Sequence, residues 1–387
     1  MPPSPPTTAA PPGSVRRPLR RPPRGGGLDA PVPTAAAPGA RAPRTSLRIL
    51  VPLGLAIALA VSVIVAAGAG QLAVPPGEVL GVLLRPLGIT ALPEPSSDVV
   101  SSALWSIRFP RVAMAALVGA ALAVAGLLMQ AVFGNPLAEP GVVGVSSGAA
   151  VGAGVCIVFG IGFLGSWTVP VFAFLTGLAV SLAVYALSRA EGRTEVVTLV
   201  LTGIAVNAVA GAAIALLTFL GDTQSREQIV FWQLGSLAGS RWSQAAVVAP
   251  LLAIGLVIAF LVAHRLDLLS LGERTARHLG VRVERLRLGT IVLVALLVGA
   301  AVAFAGIIAF VGLVVPHLMR MLLGPAHRPL VAASALGGAL LLTLADLGAR
   351  TLVPMADLPL GVLTSLVGGP FFFWLLRRTR RSAGGWG

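Results

Sequence analysis

Ten apolar runs of 17 to 25 residues follow one another through this chain, at 49–70, 112–132, 142–163, 169–187, 196–220, 245–263, 288–305, 307–323, 329–347 and 360–376. Nothing else limits the fold so severely. Runs of this length match the roughly 20 residues an α-helix needs to cross a bilayer and far exceed the roughly 9–11 of a barrel strand. Lipid offers the backbone no hydrogen-bond partners, so each run is predicted to be helical. Composition agrees, at 56% hydrophobic and 11% charged, against about 45–50% and 25% in soluble domains. The expected class is an all-α membrane protein with ten transmembrane helices.

The pair between Leu288 and Leu323 is the tightest, because 36 residues must cross twice where about 20 per crossing is usual. Charge decides the matter. The flanking segments 264–287 and 320–328 both carry arginine, and arginine collects in cytoplasmic loops. An even number of crossings must separate them, which predicts a sharp turn near Ala305–Gly306. With both termini cytoplasmic, 22 arginines fall inside (eight up to Arg48, two at 189–193, six at 264–287, two at 320–328, four at 377–381) and six outside (85, 108, 111, 226, 241 and 350).

Residues 1–46 are rich in Pro, Ala, Gly and Arg and have few large apolar side chains to bury, so they read as a disordered cytoplasmic tail. No apolar core follows the first basic cluster until Ile49, which argues against a signal peptide. The tail is a candidate for anionic lipid headgroups, or a charged leader that only sets topology. Residues 47–380 form the membrane domain, with a cytoplasmic loop at 264–287, and 381–387 a short C-terminal tail.

All 28 basic residues are arginine. A phosphate-cradling GxxxxGK[ST] loop needs lysine, so this chain has no ordinary nucleotide loop. The single cysteine, Cys156, has no partner for an intrachain disulfide. The four histidines (264, 278, 317 and 327) lack ligand spacing with Cys or carboxylates, and no metal site is expected.

Between the sixth and seventh runs, Ser270-Leu271-Gly272-Glu273 matches a capping box, and Gly280 suits the left-handed position after a last turn. About nine helical residues would lie between, roughly 14 Å, too short to span a bilayer. Leu268, Leu271, Thr275 and Leu279 share one face, and Glu273 pairs with Arg277 on another. Such a helix either docks a partner or lies against the protein's own spans. Asn135, Pro136, Glu139 and Pro140, within Gly134–Gly141, read as a tight reversal. Ionisable groups inside the runs are scarce. Gln130 and Asn207 are the polar residues that could line a path, although helix-to-helix hydrogen bonding is the common role. Arg108, Arg111 and Arg350 lie at outer mouths against the topological bias; they either pair with a partner's carboxylates or snorkel toward lipid phosphates.

Together, "RFPR" (108–111), "GAALAVAGLLMQAVFGNPLAEPGVVGVSSGA" (119–149), "LSLGERTARHLGV" (269–281), "GIIAFVGLVVPHLMR" (306–320), "LADLGAR" (344–350) and "LPLGVLTSLVGGPFFFWLL" (358–376) resemble the iron-siderophore, haem and cobalamin permease family of bacterial ABC importers. The resemblance covers nearly all of residues 48–380. It implies a plasma-membrane transport subunit, not an enzyme, with no catalytic residue and no bound cofactor; ATP and Mg belong to a partner. Implied partners are a second permease subunit, identical or related, two ATPase subunits, an external substrate-binding protein and membrane lipid, with no nucleic acid. Ferric siderophores are the expected cargo, haem or cobalamin the alternative.

By the same resemblance, Leu268, Leu271, Gly272, Glu273, Ala276, Arg277, Leu279 and Gly280 form the element that docks on the ATPase, while Arg108, Arg111 and Arg350 pair with glutamates of the binding protein. Asp357 stands where the family usually has Glu. An ion-coupled secondary transporter would need charged groups at mid-membrane, which the runs scarcely supply. A membrane-embedded enzyme would need clustered acid, base or metal groups.

Overall fold

The computed structural model describes residues 45–382 apart from 71, 191–192 and 354–355. The tail predicted at 1–46 therefore lies outside the described residues up to position 44, as do residues 383–387 of the C-terminal tail. The membrane unit opens with α1 (Thr45–Gly68), followed by α2 (Pro76–Leu84) and α3 (Asp98–Ala103). Pro76 begins α2 at a position where its missing N–H costs nothing, and Ser97 caps α3 by accepting from Val100 N at 3.3 Å. A π-helical turn at Leu104–Arg108 joins α3 to α4 (Phe109–Phe133) without a break. Then come α5 (Val145–Val158), α6 (Thr168–Leu187), α7 (Val196–Leu220), α8 (Thr223–Leu234), α9 (Trp242–Leu269), α10 (Glu273–His278), α11 (Val283–Ala305), α12 (Val311–Leu323), α13 (His327–Thr351) and α14 (Leu360–Ser382).

The all-helical class is as expected; among the described residues the sole ladder is two residues long, Arg189–Ala190 against Arg193–Thr194. Among the described residues seven helical stretches are long and apolar enough to cross a membrane, and three apolar helices, 145–158, 311–323 and 360–374, are shorter. Each predicted run holds one of these helices.

The central helix is α4, buried almost throughout from Val112 to Val132. Its small residues explain why. A Cβ on Gly126 would strike the backbone of Gly312 in α12, and one on Gly119 would strike the Gly338 carbonyl in α13. Bare backbones in contact gain packing that larger side chains would forbid, which is the main attraction between helices in lipid.

Two connections depart from expectation. The segment after α4 does turn, with Gly134 left-handed at φ 59° and Asn135 Oδ1 accepting from Leu137 N at 2.9 Å. It is not a simple reversal, however. The Gly141 carbonyl accepts from Asn207 Nδ2 at 3.3 Å, and Asn207 lies eleven residues into α7, about 16 Å from its first turn. The chain thus turns back into the bundle before α5 starts, which is why the helix begins at Val145 and not at Val142.

The predicted turn after Ala305 is present. Gly306 adopts φ 69°, and so does Phe310, the one non-glycine with positive φ among the described residues. Residues 306–310 run back into the bundle, and α12 begins only where Phe310 N donates to Glu139 Oε1 at 3.2 Å. The two broken segments therefore meet each other inside the protein.

Candidate functional site

Polar side chains gather at the two ends of α13, a helix of 25 residues and so roughly 37 Å long. At its C-terminal end the three predicted arginines come together. Asp346, 1% exposed, takes Arg111 Nε at 2.9 Å and Arg350 Nε at 3.2 Å. Arg111 Nη1 also reaches Asp357 at 2.7 Å, and Asp357 is 43% exposed. Arg350 Nη2 donates to the Ala66 carbonyl at 2.9 Å. Arg108 is buried and donates to the carbonyls of Ala67 at 2.8 Å, Gly68 at 3.1 Å and Leu72. These carbonyls lie at and just beyond the end of α1, where helix acceptors have no partner of their own.

The arginines do not snorkel outward as isolated charges. They lock α1, α4 and α13 together and line a cavity of about 870 Å³ with Asp357 at its rim. Three guanidiniums face two carboxylates, leaving a net charge of +1.

At the other end, the predicted short helix exists as α10, but it spans six residues where about nine were expected, and the capping box is not formed. The apolar run stopped at Ala263, whereas α9 continues to Leu269. Ser270 therefore closes α9, its Oγ donating to the Asp267 carbonyl at 2.6 Å. Gly272, at φ 102°, precedes α10 in its place. Gly280 is left-handed as expected, at φ 84°, with Gly280 N donating to Arg277 O and Val281 N to Ala276 O. Glu273 and Arg277 pair at 3.1 Å. Ala276 is fully buried, and Leu268 is half-buried against the core. Leu271 and Leu279 are 62% and 55% exposed. Thr275 is exposed as well, so all three side chains are left open by the described residues.

Both candidate path residues, Gln130 and Asn207, hydrogen-bond within the bundle. Gln130 is 2% exposed. Its Nε2 donates to Gly312 O and Leu313 O at 3.3 Å, and its Oε1 accepts from Arg320 at 2.9 Å. Asn207, half-buried, holds Gly141 and accepts from Ser147 Oγ at 2.6 Å. Pro136 lies on the exposed turn, and Pro140 packs beside Gly312. Among the described residues no three His, Cys, Asp or Glu side chains are placed to hold a metal ion.

Comparison with known proteins gives this architecture a family. The family model described as the FecCD transport family matches residues 41–378. The chain belongs to the FecCD transport family. The hemin transport system permease protein HmuU of Yersinia pestis is 44% identical over 331 residues, 81% of this chain and 99% of its own. The vitamin B12 import system permease protein BtuC of Vibrio cholerae is 42% identical over 287 residues, 74% of this chain and 86% of its own. A solved inward-facing structure of a metal-chelate type ABC transporter superposes with a TM-score of 0.75 at 32% identity, covering 85% of this chain and 99% of that one. This FecCD chain is therefore an ABC importer permease, a transport subunit that crosses the plasma membrane several times.

Two features of this FecCD permease escaped the sequence. Arg287, counted as one more loop charge, is 1% exposed. It donates to the Thr194 carbonyl at 2.6 Å, to Glu273 at 2.5 Å and to Glu284 at 3.3 Å. It thus ties α10 to α11 and to the hairpin between α6 and α7. The other is α8. Asp222, accepting from Ser225 N at 2.8 Å, caps its start, and Gly235, at φ 71°, follows its end. Those bonds from Ser225 hold the Asp222 carboxyl below its usual range. Asp222 and Gly235 were the available signals, masked because the helix between them is not apolar.

Proposed function

We propose that this chain works as one of two membrane-spanning permease subunits of a metal-chelate importer that also contains two separate ATPases, which bind ATP and Mg, and an external binding protein. The observation that carries this is α10, anchored through Arg287 and Ala276 yet offering Leu271, Thr275 and Leu279 to an absent partner. A chain without a nucleotide loop needs a contact of this kind if ATP is to move it. ATP-driven closure would push α10, and Arg287 would pass the displacement to α11 and the α6–α7 hairpin. The push is useful only if the two transport states make different contacts.

Ten crossings with both termini cytoplasmic suit this arrangement. At 14 residues, α5 covers about 21 Å, and its re-entrant connection supplies the remaining depth.

Replacing Leu279 by Asp tests the docking face. Leu279 is 55% exposed, so the variant should unfold at the wild-type temperature but lose the ATPase on co-purification. Undiminished co-purification would refute the assignment.

The external protein would dock over Arg108, Arg111 and Arg350. An incoming carboxylate must compete with Asp357 for Arg111, so Asp357→Asn should tighten docking. Exposed pairs contribute about 0.2–1 kcal/mol, which corresponds to an increase of up to about fivefold. The gain should fade at high salt. Weaker docking of D357N would show that Asp357 is itself a contact.

For cargo, the motif resemblance points to ferric siderophores. Haem is the second reading, favoured by the 44% identity to HmuU over 99% of that protein. Proteoliposomes holding the whole complex, supplied with ATP and a loaded binding protein, should accumulate the ferric siderophore; uptake of haem alone would decide for the second reading. Uptake driven by an ion gradient without ATP would overturn both.

A further inference from the structure

A groove of about 580 Å³ separates the last turns of α9 from the first turns of α11, at the arginine-rich end of the bundle. Its mouth carries His264, Arg265, Arg282 and Arg285, and no acidic residue lines it. The three arginines are exposed and, among the described residues, none is ion-paired. The nearby acids are engaged elsewhere, Asp267 with His327 at 2.6 Å and Glu284 with Arg287 at 3.3 Å. Behind this basic mouth the walls become apolar, with Ile258, Val262, Leu286 and Leu293, while Leu268 and Leu279 form the edge that the groove shares with the α10 segment. Ile258 lies seven residues before Arg265 on the same helix, about 10 Å deeper.

Three further observations identify what would lie there. Ile254, Val257 and Leu261 are 58%, 58% and 71% exposed. They extend the same stripe of α9 toward mid-membrane, an uncharged surface suited to acyl chains. Gly289 sits inside α11 with open space where its Cβ would be. Neither backbone nor packing requires glycine at this position; any side chain would narrow the groove. Thr290 lines the groove, is 2% exposed, and its hydroxyl has no partner. A buried unpartnered hydroxyl is costly unless something supplies the missing bond.

We propose that the groove between α9 and α11 binds one anionic phospholipid of the adjacent leaflet, its phosphate among Arg265, Arg282 and Arg285 and its glycerol ester region near Thr290. Basic pockets between membrane helices on the cytoplasmic side suit anionic headgroups. The apolar depth selects a lipid over free phosphate.

Native mass spectrometry of the full chain in detergent, titrated with phosphatidylglycerol or phosphatidylcholine, tests this. One phosphatidylglycerol should be retained at least tenfold more tightly than phosphatidylcholine. Replacing the three arginines by Gln should weaken it by on the order of 100-fold, and Arg282→Gln alone by about fivefold. Gly289→Phe keeps every charge but fills the groove, and should weaken binding at least tenfold. Millimolar inorganic phosphate should not displace the lipid.

Equal retention of the two lipids would overturn the proposal. So would full retention by the arginine variants, which would place the lipid elsewhere, for instance on the basic tail. Displacement by phosphate together with an unaffected Gly289→Phe variant would indicate a phosphate site. A change in oligomeric state without loss of lipid would assign the groove to a second copy.

Discussion

Replacing Gly126 by valine is expected to leave little folded protein in the membrane. The new Cβ would lie inside the van der Waals envelope of the Gly312 carbonyl and Cα, and backbone, unlike the tip of a flexible side chain, cannot rotate aside. Gly312 is hemmed in on its other sides: a Cβ there would lie 2.9 Å from Leu122 O and 3.1 Å from Pro140. Separating α4 from α12 would also pull Gln130 off the Gly312 and Leu313 carbonyls and break its bond to Arg320.

Overpacking usually costs 1–3 kcal/mol. With two backbones to part and a buried polar cluster to break, we expect more than about 3 kcal/mol, a large share of a typical 5–15 kcal/mol stability. Gly211→Ala is the control, because the added Cβ meets nothing within 4 Å. The measurement is the monodisperse yield and unfolding temperature in detergent. Wild-type values for G126V would mean that α4 and α12 do not pack as described.

That contact also shows what a sequence of this kind makes legible. Membrane helices announce themselves by length and apolarity, properties of a chain segment alone, and all ten runs hold a helix. Arginine distribution likewise located the turn after Ala305. Depth is different, because it depends on tertiary partners. Residues 142–144 are as apolar as a helix interior, yet they form part of a re-entrant connection because the Gly141 carbonyl meets Asn207 and a Cβ on Gly203 would strike the Val142 carbonyl.

The cap at Ser270 failed for a related reason. Hydropathy cannot show that α9 runs six residues beyond Ala263, through His264, Arg265 and Asp267, and so claims Ser270 for its own end. At the opposite end, the motif brought Arg108, Arg111 and Arg350 into view, but not Asp346 as the carboxylate shared by Arg111 and Arg350. That pairing joins residues 235 positions apart.

Arg287→Met should uncouple the transporter while leaving most of the bundle intact. Arg287 is 1% exposed, and its guanidinium bonds to three acceptors from three segments: Thr194 O, Glu273 and Glu284. Methionine fills much of the volume but bonds none of them. Glu273 and Glu284, 43% and 29% exposed, can recover water; the Thr194 carbonyl loses a charged donor.

Removing one member of a buried pair typically costs 3–5 kcal/mol, and because both carboxylates can hydrate, about 3 kcal/mol is expected here. The loss falls on the attachment of α10, a six-residue helix too short to hold itself together. With α10 loosened, an ATPase still able to hydrolyse ATP would move it without moving α11. ATP-driven uptake should fall at least tenfold while basal hydrolysis by the complex persists. Arg287→Lys, able to reach one acceptor but not a fork of them, should fall between the two. Wild-type uptake by R287M with the ATPase bound would show that the displacement enters the bundle by another route, such as Leu268 against the core, and that Arg287 only supports the fold.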